Sequence, residues 1–305
     1  MKTSENKKQS NFLVVGADGF LGSRLVSQLI QQGHNVTGTT RRRGAVAPDR
    51  VFLDLNEPEN FKISDNVECV FILAGITNYG HCETDPDAWK VNVEGIPYLA
   101  SCFLKAGVFV IFISTNSVFG GDQPWPGEDD PHHPKIAYSR QKSASEVAIR
   151  SQAEKLDRLE LLSIVRLTKI LAASTSPFPQ WFAAWKSAQV VTPFSDLIFA
   201  PISLDFAAKK LGVLGESPVP GNLHLSGEDN ITYFDFAKAV GKRMGVPDSL
   251  IEPTTSVEMG VKVLFLPQYS GISMKRTSEL TGIFPESLES VAAFVVDGVS
   301  ELSLK

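Results

Sequence analysis

The sequence predicts an α/β protein built on a doubly wound parallel sheet, with a smaller and less regular carboxy-terminal lobe. Three observations lead to that class. The apolar run Phe12-Leu13-Val14-Val15 ends in a turn, Gly16-Ala17-Asp18-Gly19-Phe20-Leu21-Gly22, whose glycines open an amphipathic segment. Further on, apolar runs of strand length alternate with stretches of helical period, an order that a parallel sheet with right-handed crossovers satisfies. Beyond Leu171 the alternation is broken by Pro177, Pro179, Pro193, Pro201, Pro218 and Pro220.

The elements follow in chain order. Residues 12–15 form the first strand, 21–32 the first helix and 36–40 the second strand, after which comes the short apolar run Val51-Phe52-Leu53. Residues 69–74 read as a strand, 89–105 as a helix and 108–114 as the next strand. A helix begins near Tyr138, and residues 161–166 supply one more strand. In the second lobe residues 233–244 are helical, and segments near 197–214 return to the sheet. This organisation gives a first domain of residues 12–172, with return segments near 197–225, and a second lobe made mainly of residues 173–305. Residues 1–11 are polar and lysine-bearing, without an apolar signal core, and read as a disordered lead-in.

Composition excludes several classes of function. A chain of 305 residues with 43% hydrophobic and 21% charged residues buries a large core. A net charge of −5 provides no basic field for nucleic acid. No apolar stretch is long enough to span a bilayer, so a cytoplasmic protein is expected. Cys69, Cys82 and Cys102 are odd in number and lack a C-x-x-C spacing, which argues against a disulfide framework or a zinc site.

A buried parallel strand that ends in glycines and opens a helix lets backbone N–H groups and the helix dipole meet a pyrophosphate. Gly16, Gly19, Phe20, Leu21 and Gly22 are therefore expected to hold a dinucleotide on a Rossmann-type sheet. The second strand runs into Arg41-Arg42-Arg43, with no Asp or Glu at its end to grip a ribose 2′-hydroxyl. Guanidinium forks match a phosphate, so the end of this strand, with Arg41 and Arg42, predicts NADP, with NADPH preferred over NADH. Asp54, closing the run after Val51, is expected to meet the adenine edge.

A second constellation carries the chemistry. Tyr138-Ser139-Arg140-Gln141-Lys142 puts a phenol and an ammonium at i and i+4, on one face of a helix. A nearby cation favours the phenolate and suits the tyrosine to proton transfer at neutral pH. Ser114-Thr115-Asn116-Ser117 lies at the carboxyl end of a strand, where open α/β sheets place their sites. A hydroxyl at Thr115 is suited to hydrogen-bond a carbonyl while Tyr138 gives it a proton.

With these residues the chain resembles the extended short-chain dehydrogenase/reductase family. Gly16, Gly19 and Gly22 match its cofactor glycines, Thr115 its active-site hydroxyl, and Tyr138 with Lys142 its Y-x-x-x-K pair. Leu73-Ala74-Gly75 after the strand and Asn92-Val93-Glu94-Gly95 in the next helix are similar to further landmarks, which implies cofactor contact at Leu73, Ala74, Gly75 and Asn92. Within the family, Ser114-Thr115-Asn116-Ser117-Val118-Phe119 is similar to the S-T-D-Y-V-F stretch of the dTDP-4-dehydrorhamnose reductase branch. Val165-Arg166-Leu167-Thr168 and Leu223-His224-Leu225-Ser226-Gly227 extend that similarity into the second lobe.

The resemblance implies an NADPH-dependent reductase acting on a carbonyl of a nucleotide sugar, with Tyr138 as proton donor. Lys142 would hold the nicotinamide ribose, and Thr115 would orient the carbonyl oxygen. The chain departs from the branch at Asn116 and Ser117, where the branch has Asp and Tyr, and at Ser139, where it has Gly. It also lacks the Asp-Glu pair that sugar-nucleotide dehydratases carry after the active-site Thr. An NADP-dependent epimerase using the same residues, and a cofactor-binding regulatory protein without turnover, stay open as alternatives. A homodimer is the default expectation for such folds.

Three further features are weighed. His132-His133, between Pro131 and Pro134, lacks a ligand spacing on regular structure and reads as a solvated loop rather than a metal site. Trp181 and Trp185, one helical turn apart, read as packing. Trp125, in the loop 120–127, is a candidate for lining a substrate pocket.

Overall fold

The computed structural model describes residues 9–302 of the chain. The first eight residues of the expected lead-in lie outside the described part. Asn11, expected in that lead-in, is instead the first residue of a strand. The ladder partner Asn35 and the Glu68 carboxylate, which accepts from the Asn11 N–H at 2.9 Å, draw it into the sheet.

The first half alternates strands and helices: β1 (Asn11–Val15), α1 (Phe20–Gln31), β2 (Asn35–Thr40), β3 (Arg50–Phe52) and β4 (Cys69–Ile72). Next come α2 (Tyr79–Thr84), α3 (Pro86–Trp89), a π-helical turn (Lys90–Gly95) and α4 (Ile96–Lys105). β5 (Phe109–Thr115), α5 (Ala137–Lys155), β6 (Leu162–Leu167) and β7 (Lys169–Leu171) follow. The remainder is α6 (Phe178–Lys186), β8 (Ile198–Phe199), β9 (Pro201–Ser203), α7 (Leu204–Glu216), β10 (Gly221–Leu225) and β11 (Ile231–Thr232). It closes with α8 (Tyr233–Met244), α9 (Lys275–Thr281), α10 (Leu288–Asp297) and α11 (Val299–Leu302).

Seven strands make one sheet in the order β10-β6-β5-β4-β1-β2-β3. β1 pairs in parallel with both β2 and β4, so the strand order reverses there, and open α/β sheets bind ligands at such a point. Residues 197–214 do not return to this sheet. β8 pairs with β11 and β9 with β7, while Leu204, Ala207, Ala208, Leu211 and Leu214 recur at helical spacing and form α7. The strand that returns is β10.

The expected helix 89–105 is composite. Pro97 has no N–H to donate, and a Cβ at Gly95 would lie 2.0 Å from the Leu55 carbonyl oxygen, so the backbone passes through a wide π turn before α4.

Compactness divides the chain into two units. One comprises the chain up to Ile113 with Ala144–Ile164 and Ala208–Gly221; the other comprises Ser114–Ser143, Val165–Ala207 and the chain from Asn222. These boundaries differ from those of the expected first domain, residues 12–172 with return segments near 197–225. The chain beyond the ends of β5 and β6 joins later residues: the Asn116 amide donates to the Ser270 carbonyl at 2.7 Å, and the Thr168 N–H to the Leu225 carbonyl.

The core of the first unit gathers Leu13, Val70, Ile72, Leu99, Phe103 and Phe112, all nearly inaccessible. That of the second is aromatic: Phe178, Trp181, Trp185, Phe199 and Phe236 pack ring against ring. Among the described residues no helix is long and apolar enough to cross a membrane.

Candidate active site

In the first unit the glycine turn is held by close backbone approach. Gly16 follows β1 at φ +91°, and a Cβ there would lie 2.7 Å from the Ala74 nitrogen. The Gly19 N–H donates to the Gly16 carbonyl at 3.0 Å. A Cβ at Gly22 would lie 2.1 Å from that same carbonyl oxygen, so α1 presses its first turn onto the loop as only glycine permits. No side chain caps α1 and its first turn holds no acidic residue, which leaves the positive end of its dipole to an anion. Phe20 is exposed and Leu21 buried at this end.

The β4 side completes the turn. The N–H groups of Leu73 and Ala74 both donate to the Val15 carbonyl at 3.0 Å, joining the ends of the neighbouring strands β1 and β4. Gly75 is exposed. Asn92, 1% accessible, grips the Ile76 backbone through both ends of its amide at 2.9 Å, and its own carbonyl accepts from the Ser145 hydroxyl. Asn92 thus shapes the Gly75-Ile76 turn from beneath. A tight glycine loop leading into an uncapped helix fits a dinucleotide pyrophosphate.

At the end of β2 the charges are more organised than the sequence indicated. Asp18, within the glycine turn, accepts from Thr40 at 2.7 Å, and both Arg50 (2.6 Å) and Arg42 (3.2 Å) pair with it. The Thr40 hydroxyl, helped by Arg42 and Arg50, holds its carboxyl below the usual range. Arg41 is exposed, and the Arg43 guanidinium stands 4.1 Å from the centre of the Phe52 ring. Asp54 is half-buried and opens a turn by accepting from the Asn56 N–H at 2.9 Å. Sequence reasoning missed Asp18 and Arg50; Asp18 stood inside the motif, but its partner lies 32 residues away.

In the second unit Thr115 ends β5, 9% accessible, and its hydroxyl caps the following turn by accepting from the Ser117 N–H at 3.2 Å. Asn116 donates to both the carbonyl and the hydroxyl of Ser270. α5 begins at Ala137. The fully buried Ser139 hydroxyl accepts from the Ile136 N–H and donates to its carbonyl, so the serine found in place of glycine fastens the start of this helix. Tyr138 is half-buried and Lys142, one turn on, is 7% accessible. Thr115, Tyr138 and Lys142 therefore fall in one compact unit. The glycine turn, Arg41, Arg42, Asp54, Leu73, Ala74, Gly75 and Asn92 fall in the other.

The family model described as RmlD substrate binding domain matches residues 10–299. The chain belongs to that family. It stands within the extended short-chain dehydrogenase/reductase superfamily, whose members are NAD(P)-dependent oxidoreductases. Spore coat polysaccharide biosynthesis protein SpsK of Bacillus subtilis is 29% identical over 276 residues, covering 90% of this chain and 92% of that protein. Methionine adenosyltransferase 2 subunit beta of Bos taurus is 25% identical over 256 residues, covering 80% and 75%.

Among solved structures, dTDP-4-dehydrorhamnose reductase of Bacillus anthracis in complex with NADP superposes with a TM-score of 0.78 at 19% identity, covering 96% of this chain and 99% of that one. MoeE5 in complex with UDP-glucuronic acid and NAD superposes with a TM-score of 0.77 at 19% identity, covering 96% and 100%. These likenesses establish the shared fold.

In this member of the RmlD substrate-binding family, two segments noted for their similarity meet inside the second unit. Arg166, 2% accessible, donates to the Glu128 carbonyl (2.9 Å), to Nε2 of His224 (3.2 Å) and to Nε2 of His132 (3.0 Å), and its guanidinium lies over the Phe119 ring. A guanidinium only donates, so both imidazoles accept at Nε2 and carry their proton at Nδ1. His224 donates that proton to the Ser273 carbonyl at 2.7 Å, and His132 donates its own to the Ser143 hydroxyl of α5 at 2.8 Å. His132 is thus half-buried and structural, a correction to the solvated loop expected of it; its neighbour His133 is exposed. The chain pairs them across too long a separation for the local Pro-rich sequence to reveal it.

Burial, with Arg166 alongside, lowers the His224 pKa from 6.5 to about 3. An unfolded chain therefore binds a proton here between about pH 6.5 and 3 that the folded chain refuses, so stability falls as pH falls through that window. Denaturant melts from pH 7 to 4 are expected to show this loss, with a shallower slope in His224→Asn relative to that variant's own pH 7 value. An unchanged slope would remove His224 from the account.

Proposed function

We propose that the protein is an NADPH-dependent reductase of a keto group on a nucleotide sugar. The observation that carries this reading is the placement of Tyr138 and the buried Lys142 one turn apart at the start of α5, in one unit with the buried Thr115 that ends β5. Membership of an oxidoreductase family and relatives that act in polysaccharide biosynthesis by name support it.

The nicotinamide, when bound, supplies the hydride. Residues of the glycine turn and the amino end of α1 hold the pyrophosphate, with Gly16, Gly19, Phe20, Leu21 and Gly22 lining it and Leu73, Ala74 and Gly75 beside it. Asn92 acts behind that lining, and Asp54 faces the adenine. Tyr138 gives its phenolic proton to the carbonyl oxygen while Thr115 donates a hydrogen bond that orients it. Lys142 holds the nicotinamide ribose and favours the phenolate left behind.

Arg41, Arg42 and Arg50 form the basic edge that takes a 2′-phosphate, while Asp18 holds Arg42 and Arg50 in place. The test is a fluorescence titration with NADPH and with NADH. NADPH is expected to bind more tightly, and Arg42→Ala and Arg50→Ala to weaken it about tenfold each with little change for NADH, since a charge-assisted contact is lost. Equal affinity for both cofactors in the wild type contradicts the NADPH assignment, and binding of neither contradicts the enzyme reading.

One observation favours a second reading. The relative named as a subunit of methionine adenosyltransferase covers most of this chain, and a fold does not fix a function. Cofactor binding without turnover on any keto-sugar nucleotide would favour a regulatory protein that keeps the cofactor fold without catalysis. Epimerisation by the same residues is distinguished by an absence of net cofactor oxidation.

A further inference from the structure

Trp125 is held in an unusual backbone conformation. It has φ +52° and is 40% accessible. A bulky residue in the left-handed region is an outlier. The other described non-glycine residues with positive φ are Asp157 and Ala188, which follow α5 and α6, where a left-handed residue is an ordinary way to end a helix. Trp125 ends no helix, so its strain serves something other than helix termination.

The indole is fixed from below. A Cβ at the buried Gly271 would lie 2.3, 2.7 and 2.9 Å from three atoms of the six-membered ring, so that ring rests directly on bare backbone. That backbone is fastened on each side. The Ser270 and Gly271 N–H groups both donate to Asn230 Oδ1, at 2.6 and 2.7 Å. The Ser273 N–H donates to the Pro126 carbonyl, and the Gln268 and Tyr269 N–H groups donate to the Gly121 carbonyl. Asn116, next to Thr115, donates to the Ser270 carbonyl and hydroxyl. A continuous run of contacts therefore leads from the hydroxyl assigned to the reacting carbonyl, through Asn116 and Ser270-Gly271, to an aromatic surface kept in the open.

We propose that Trp125 is a stacking platform for the sugar ring of the substrate, set by the strap 268–273 and by Asn116. This rests on the nucleotide-sugar reading above. The run of contacts starts at Thr115, so the ring it serves is the one that bears the carbonyl rather than the base. The face of an indole is electron-rich and receives the apolar C–H face of a pyranose.

The test is calorimetric titration of the full chain with UDP-glucose and UDP, and with dTDP-glucose and dTDP, in wild type, Trp125→Phe and Trp125→Gly. Glycine accepts the positive φ freely but gives up the packing on Gly271, so Trp125→Gly is expected to melt somewhat lower than wild type while staying folded at the titration temperature, and Trp125→Phe keeps a ring on that backbone. The affinity of Trp125→Gly for the nucleotide sugar is expected to fall about tenfold, with affinity for the nucleoside diphosphate unchanged and Trp125→Phe in between. An equal loss for the diphosphate alone would assign the ring to the base and overturn the proposal, as would no loss for either. Failure of the wild type to bind any of the four probes would instead overturn the nucleotide-sugar reading on which the proposal rests.

Discussion

Replacing Tyr138 by Phe is expected to lower turnover of a keto-sugar nucleotide about a thousandfold while leaving NADPH binding within a factor of two or so. The substitution removes one hydroxyl and keeps the ring of a half-buried residue, so the start of α5, fastened by Ser139 on the Ile136 backbone, stays as it is. The residues proposed to hold the cofactor's pyrophosphate lie in the other compact unit and keep their sequence. Steady-state kinetics beside a fluorescence titration separates the two effects. Turnover at the wild-type rate in Tyr138→Phe would remove the proton donor from the mechanism.

Replacing Gly22 by Ala is expected to be the most damaging single-methyl change in the cofactor loop. Its Cβ would stand 2.1 Å from the Gly16 oxygen, 2.9 Å from the Gly16 carbonyl carbon and 3.0 Å from the Ala17 Cα. All three neighbours are backbone, so relief requires the loop and α1 to part. A strained insertion of this kind costs about 3 kcal/mol, or roughly 5–10 °C in melting temperature for a chain of this size. The displaced N–H groups are those assigned to the pyrophosphate, so NADPH binding is expected to vanish as well. Gly44, whose Cβ would meet nothing within 4 Å, provides the control: Gly44→Ala is expected to melt and bind as wild type. Thermal melts and NADPH titrations of the two variants check this, and a Gly22→Ala protein indistinguishable from Gly44→Ala would contradict the loop's assigned role.

The parts of the fold and site that were legible in the sequence are those set by local constraint. The glycine turn announces itself because close backbone approach at Gly16 and Gly22 excludes any side chain, and Tyr138 and Lys142 announce themselves by the period of one helix. The helix 233–244 falls where its pattern predicts. What stayed hidden depends on pairing across distance. Asp18 and Arg50 are 32 residues apart, Arg166 and His224 58, and Asn116 and Ser270 154, and no periodicity links such partners. The π turn before α4 was partly hidden, because beside Pro97 it involves the close approach of the Leu55 carbonyl to Gly95, 40 positions away. The units interleave segments of the chain for the same reason: the segment after Thr115 is committed to residues that the chain supplies much later.

At the centre of the proposed mechanism, a bound nicotinamide passes a hydride, and Tyr138 a proton, to a sugar carbonyl. This transfer is tested most directly by incubating the protein with NADPH carrying deuterium at both C4 positions of the nicotinamide and a nucleotide-linked 4-keto-6-deoxyhexose, then weighing the product. The account predicts one deuterium in each reduced sugar and an equal amount of oxidised cofactor. A sugar recovered without deuterium, and cofactor left unoxidised, would contradict it.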